Sequence, residues 1–113
     1  MVALASELTP YPAILLGEML ATSDLPGGVV NILTGFRREL VPTFATHAHL
    51  RALSAVANAD ERKTLRLGAA ESVKRVNFSE LATPRDWLGG TAQSLYAIRD
   101  FVEFKTTWHP IGA

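Results

Sequence analysis

A glycine turn feeding a short apolar strand that runs into a second glycine turn is the beginning of a phosphate cradle, and residues 23–36 read SDLPGGVVNILTGF. With a helix starting just beyond, free backbone N–H groups and the helix dipole would both point at a bound nucleotide. Arg37 and Arg38 stand at that helix start and could catch a phosphate; as a surface pair, their aliphatic stems would cover apolar neighbours instead. His47-x-His49 would share one face of an extended segment and could begin a metal site, but no third ligand lies nearby and two exposed loop histidines are the plainer reading. Asp60 and Glu61 could be paired carboxylates for acid–base work, against a solvated first helical turn favoured by the dipole. Trp87 and Trp108 could stack a ligand, yet partner anchors or core fillers fit better, because tryptophan is enriched at interfaces. No cysteine is present, which excludes disulfides, thiolate metal sites and a cysteine nucleophile from these residues. No Gly-x-Gly-x-x-Gly, Walker-type, Gly-x-Ser-x-Gly or His-Glu-x-x-His motif occurs either.

These groups need elements to hold them. Residues 2–5 are apolar from the outset, as though the chain begins inside a strand, and suggest an excised or late segment. Thr9-Pro10 predicts a helix start, with Ile14, Leu15, Met19 and Leu20 forming one inward apolar stripe. Residues 29–33 read as a second strand, and Leu40, Val41 and Phe44 mark a second helix. A third strand is expected over 49–56, a helix capped by Asn58 or Asp60 and running through Leu65, Ala69 and Ala70, then a fourth strand over 73–78. This alternation predicts an α/β fold: β-α-β crossovers building a parallel sheet with helices on both faces. Residues 79–90 read as a connection and 92–100 as a helix bearing Leu95, Ile98 and Phe101. Val102, Phe104, Thr106 and Trp108 then alternate with Glu103, Lys105 and Thr107, the period of a half-exposed strand that lacks a local partner and pairs away from its sequence neighbours.

The composition is that of one folded domain, with 48% hydrophobic and 19% charged residues in 113. Eleven basic residues against eleven acidic ones, scattered along the chain, give no face for nucleic acid or an anionic membrane. The longest apolar runs, 13–16 and 29–33, fall far short of the ~20 residues of a membrane span, and no basic-then-apolar leader opens the sequence, so a cytoplasmic location is expected.

The stretch SELTPYPAILLGEMLATSDLPGGVVNILTGF resembles the cofactor-binding domain of the aldehyde dehydrogenase superfamily, with its Glu-x-Thr-Pro helix start, leucine-rich helix, and glycine turn before a Val-Val-Asn-Ile strand. VKRVNF is similar to that family's strand carrying the general-base glutamate, and RDFVEFKTTWHPIG to its C-terminal oligomerisation strand. The resemblance implies a Rossmann-like domain over 1–90, followed by a C-terminal helix and interface strand over 91–113, in a single compact unit. It also implies roles, position by position. Glu7 matches the glutamate that holds the cofactor ribose, while Leu4 stands at the lysine that shares this task. Phe36-Arg37-Arg38 follows Gly35 where small residues would let backbone approach a dinucleotide, and Ala55-Val56-Ala57-Asn58 replaces a Phe-Thr-Gly-Ser turn. Ser79 occupies the general-base position in an ungapped register, with Glu80 one place on, and the nucleophilic cysteine is absent.

The expectation is therefore a non-catalytic aldehyde-dehydrogenase-like domain serving as a structural or assembly module. No catalytic residue, no metal and no cofactor are expected; Glu7 is a cofactor-site remnant, and Val102, Phe104, Thr106 and Trp108 form the interface. Its partner would be a second copy or a catalytic aldehyde dehydrogenase domain. The alternative is a fragment or cofactor-binding part of an active NAD-dependent aldehyde dehydrogenase, with NAD as cofactor. A third possibility is an anion binder using Arg37 and Arg38.

Overall fold

Parallel strands cannot be joined by a tight turn and need a crossover, and each half of this chain supplies one. The computed structural model describes residues 1–79, 88–90 and 92–109, and the chain divides into two compact units, Met1–Thr43 and Phe44–Ala113.

In the first unit, β1 (Val2–Leu4) pairs in parallel with β2 (Asn31–Leu33), Ala3 opposite Ile32, and α1 (Tyr11–Ala21) is the crossover. Its first turn is set by two prolines: Pro10 holds the N-cap position with no side-chain cap, and Pro12 lies within the first turn, where a missing N–H is harmless. The Thr9 hydroxyl does not cap the helix; it donates to Ser6 Oγ at 3.0 Å. The inward stripe is also narrower than expected. Ala13, Gly17 and Leu20 are half-buried, whereas Ile14, Leu15 and Met19 face outward. Gly17 explains the rotation: a Cβ there would stand 3.7 Å from the Ile32 side chain, so this face approaches β2 most closely. A two-stranded sheet is too narrow to cover the rest of the helix.

In the second unit, β3 (Ala52–Ala55) pairs in parallel with β4 (Arg75–Phe78), Leu53 opposite Val76, through α3 (Ala59–Glu71). Asn58 caps α3 in a reciprocal box: its Oδ1 accepts from the Glu61 N–H at 2.9 Å, and Glu61 Oε2 accepts from the Asn58 N–H at 3.1 Å. Leu65, Gly68 and Ala69 are buried, and Ala70 is exposed. α2 (Arg37–Thr46) contains the unit boundary, and its end approaches α3 so closely that a Cβ on Gly68 would lie 2.7 Å from Ala45 Cβ and 2.8 Å from its carbonyl carbon. Lys74 is 8% exposed and closes this end of α2, its Nζ donating to the Ala45 carbonyl at 2.6 Å. A cation at a helix C-terminus satisfies a carbonyl that has no intrahelical partner.

The expected α/β class with parallel pairing is found, with the strands in two two-stranded sheets. Several elements are shorter than expected, β2 and β3 among them, at Asn31–Leu33 and Ala52–Ala55 against 29–33 and 49–56. Residues 73–78 begin as the cap of α3, with Val73 at φ 51°, and only Arg75 onward is strand. The helix expected over 92–100 is one turn, α4 (Tyr96–Arg99). Residues 102–109 form no strand within this chain: a ladder needs a neighbouring backbone, and none runs beside them among the described residues.

Candidate functional site

At its carboxyl end β2 passes through Thr34 and Gly35 into α2, which is the strand, glycine turn and helix start that the sequence promised. Gly35 has φ 156°, a conformation side chains rarely adopt, so the turn needs glycine. The positive end of α2 is already engaged. Glu7, exposed in the loop after β1, accepts a hydrogen bond from the Arg37 N–H at 3.0 Å. A carboxylate here satisfies one of the first-turn donors and offsets the dipole, as a bound anion would. Arg38 lies over the Phe36 ring at 5.3 Å and forms an exposed ion pair with Glu39 at 3.8 Å. Leu4 is half-buried at the end of β1.

The first glycine turn shapes a different feature. Gly28 has φ 83°, and the Asn31 side chain locks the turn by donating to the Gly28 carbonyl at 2.9 Å. Between this turn and the last turns of α1 lies a depression of about 440 Å³, lined by residues that include Gly17, Leu20, Leu25, Gly28 and Ile32. It opens beside the turn entering β2, not beyond that strand's carboxyl end, where α/β sheets take ligands. Its lining carries no charged side chain, and the C-terminal end of α1 adds negative potential.

In the second unit, residues 55–58 end β3 and cap α3, so the Asn58 side chain is committed to the helix start. Ser79 stands just past β4, its N–H donating to the Ala55 carbonyl at 3.1 Å. Glu80 and Trp87 lie outside the described residues. His47 and His49 sit exposed in the turn between α2 and β3; the rings are 5.8 Å apart, and His47 Nδ1 accepts from the His49 N–H at 3.3 Å, which makes them a turn rather than a ligand pair. No group of three or more potential metal ligands assembles among the described residues. Asp60 and Glu61 lie in the first turn of α3, as the dipole favours. No helix among the described residues is long and apolar enough to cross a membrane.

The interface candidates Val102, Phe104, Thr106 and Trp108 are all exposed, with Phe104 at 87% and Trp108 at 85%. Among the described residues, the segment is held at its root. Arg75 donates to the carbonyls of Phe101 and Val102 and pairs with Glu103 at 3.5 Å, while Asn77 donates to the Asp100 carboxylate. Arg75 and Asn77 are i and i+2 on β4 and so share a face. Sequence reading missed these two anchors; their alternation inside VKRVNF was the available signal.

The aldehyde dehydrogenase family model matches residues 1–81. The chain is 32% identical over 74 residues to 2-hydroxymuconic semialdehyde dehydrogenase of Pseudomonas putida, covering 65% of this chain and 15% of that protein. It is 32% identical over 73 residues to betaine aldehyde dehydrogenase 1 of Oryza sativa subsp. japonica, covering 65% and 14% respectively. Aminoaldehyde dehydrogenase 2 of Zea mays is 31% identical over 73 residues, again covering 65% of this chain and 14% of the relative. The matched region thus spans about 15% of the length of the curated relatives. No solved structure gives a significant match.

Proposed function

Since the chain belongs to the aldehyde dehydrogenase family, we propose that it is a non-catalytic aldehyde-dehydrogenase-like domain whose work is assembly. The observation that carries this reading is α1. Its sequence, YPAILLGEMLA, is apolar nearly all round, yet none of its residues is buried and Met19 is 67% exposed. A helix of that character belongs inside a larger body. Val102, Phe104, Thr106 and Trp108 offer a second apolar surface, suited to adding a strand to a neighbouring sheet. The partner is a second copy of this chain or a catalytic aldehyde dehydrogenase domain. The chain's work is proposed to take place in the cytoplasm.

No cofactor is assigned. At the positions matching the family's dinucleotide grip, Leu4 offers no donor, Glu7 is already held by the Arg37 N–H, and the Phe36 ring with Arg38 above it follows Gly35. The test of assembly is light scattering on the full chain and on a form lacking residues 101–113. The full chain is expected as a multiple of 12.2 kDa and the shortened form as a single copy; an unchanged oligomeric state would overturn the interface role.

A second reading makes the chain a fragment or cofactor-binding part of an active NAD-dependent aldehyde dehydrogenase. It is favoured by the relatives, which are named as dehydrogenases, and it requires NAD⁺ binding that depends on Glu7.

A further inference from the structure

Residues 101–109 are exposed throughout, and from Val102 onward no backbone N–H finds an acceptor among the described residues. Such a run of unpaired backbone groups is a template for another strand. The period of two fixes its faces, with Val102, Phe104, Thr106 and Trp108 on one and Glu103, Lys105 and Thr107 on the other. The charges on the second face fix more than that. Glu103 and Lys105 are opposite in sign and flank Phe104 symmetrically. If two copies run antiparallel about a two-fold axis at Phe104, Glu103 of each faces Lys105 of the other, Val102 faces Thr106, and Phe104 meets its own copy.

Neighbouring registers lose these contacts. An axis at Glu103 sets that carboxylate against itself, and an axis at Lys105 sets two ammoniums together; like charges directly opposite are destabilising. An axis at Thr106 leaves Lys105 opposite Thr107, and an axis between two residues turns an apolar face against a polar one. Parallel pairing in register repeats both like-charge contacts.

The charged groups are placed to take part. Lys105 forms no ion pair among the described residues. Arg75 engages Glu103 through Oε1 at 3.5 Å, and the Glu103 side chain is 78% exposed, so Oε2 is open to a second cation. Arg75 also donates to the carbonyls of Phe101 and Val102, and Asn77 to the Asp100 carboxylate, so the root of the segment is already ordered and less freedom is lost on pairing.

We propose that residues 102–106 of two copies pair antiparallel across a two-fold axis at Phe104, which makes the partner of this surface a second copy of this chain. This pairing rests on the assembly role proposed above and gives it a partner and a register.

Sedimentation equilibrium on the full chain should show a weak monomer–dimer equilibrium, as suits so short a ladder, and added NaCl should loosen it by screening the charge pairs. Lys105→Glu and Glu103→Lys should each weaken dimerisation about tenfold, because two attractive pairs become repulsive. An equimolar mixture of the two variants should recover it, since the lysines of one then face the carboxylates of the other. Both side chains are exposed, and thermal melts check that the variants fold. Phe104→Cys reads the register directly: in a chain without cysteine it should cross-link to itself in air faster than Trp108→Cys. A dimer that survives loss of residues 101–113 would overturn the assembly role of the tail and this pairing together. A chain that stays monomeric at every concentration would overturn the pairing and leave a catalytic aldehyde dehydrogenase domain as the partner. A tail-dependent dimer that tightens with salt, ignores both charge variants, stays dissociated in the mixture or cross-links faster through position 108 would overturn the pairing alone.

Discussion

Glu7 lies where the family resemblance implies an acceptor for a sugar hydroxyl, and its carboxylate instead receives the Arg37 N–H at 3.0 Å. If that bond is a helix cap, Glu7→Ala should lower stability by about 1 kcal/mol, the usual loss for an N-terminal cap, readable in urea melts. Gly68 makes a sharper case. A methyl there would collide with the Ala45 backbone, not with a flexible side-chain tip, so Gly68→Ala should cost about 2 kcal/mol by overpacking, although alanine is the better helix former. An unchanged denaturation midpoint would mean that the Ala45 backbone yields readily to a methyl at position 68. The acid at position 7 was legible as chemistry, but its partner lies 30 residues away in sequence, and no local pattern encodes such a contact. Asn58 and Glu61 were easier to interpret because both halves of the capping box lie within one turn.

The ends of elements carry the main differences between sequence pattern and structure. Val73 belongs by residue type to a strand, yet it occupies the left-handed position closing α3: the Lys74 N–H bonds the Ala69 carbonyl at 3.0 Å and the Val73 N–H approaches the Ala70 carbonyl at 3.5 Å. That is the Schellman arrangement, which favours glycine. A β-branched residue is strained there, and its side chain, 89% exposed, packs against little in return. Val73→Gly should therefore stabilise the chain by about 0.5–1 kcal/mol, the relief of left-handed strain less the entropy glycine adds to the unfolded state. A lower melting temperature would show that the strain is offset elsewhere. In α1 the apolar period was visible, but which apolar face turns inward was decided by Gly17, whose small size admits Ile32. In residues 102–108 the alternation was equally visible, and no strand forms within the chain because a period of two specifies a face and not a partner.

Across the whole molecule, parallel crossovers, glycine turns and family membership were readable, because they rest on local residue order. The extent of burial was not. Among the described residues the buried apolar side chains are Ala5 and Val41 in the first unit and Ala45, Leu65 and Ala69 in the second, while large side chains such as Leu16, Met19, Phe104 and Trp108 stand exposed. Periodicity marks which residues seek cover; it does not show whether this chain provides it. The same distribution underlies the proposed function, a family scaffold used for association in which Leu4, Phe36 and a capping Glu7 stand where the resemblance implies a dinucleotide grip. The most direct test is calorimetric titration of the full chain with NAD⁺. The account expects no saturable heat and no thermal stabilisation at millimolar cofactor. Micromolar binding lost in Glu7→Gln would contradict it and favour the cofactor-binding part of an active dehydrogenase.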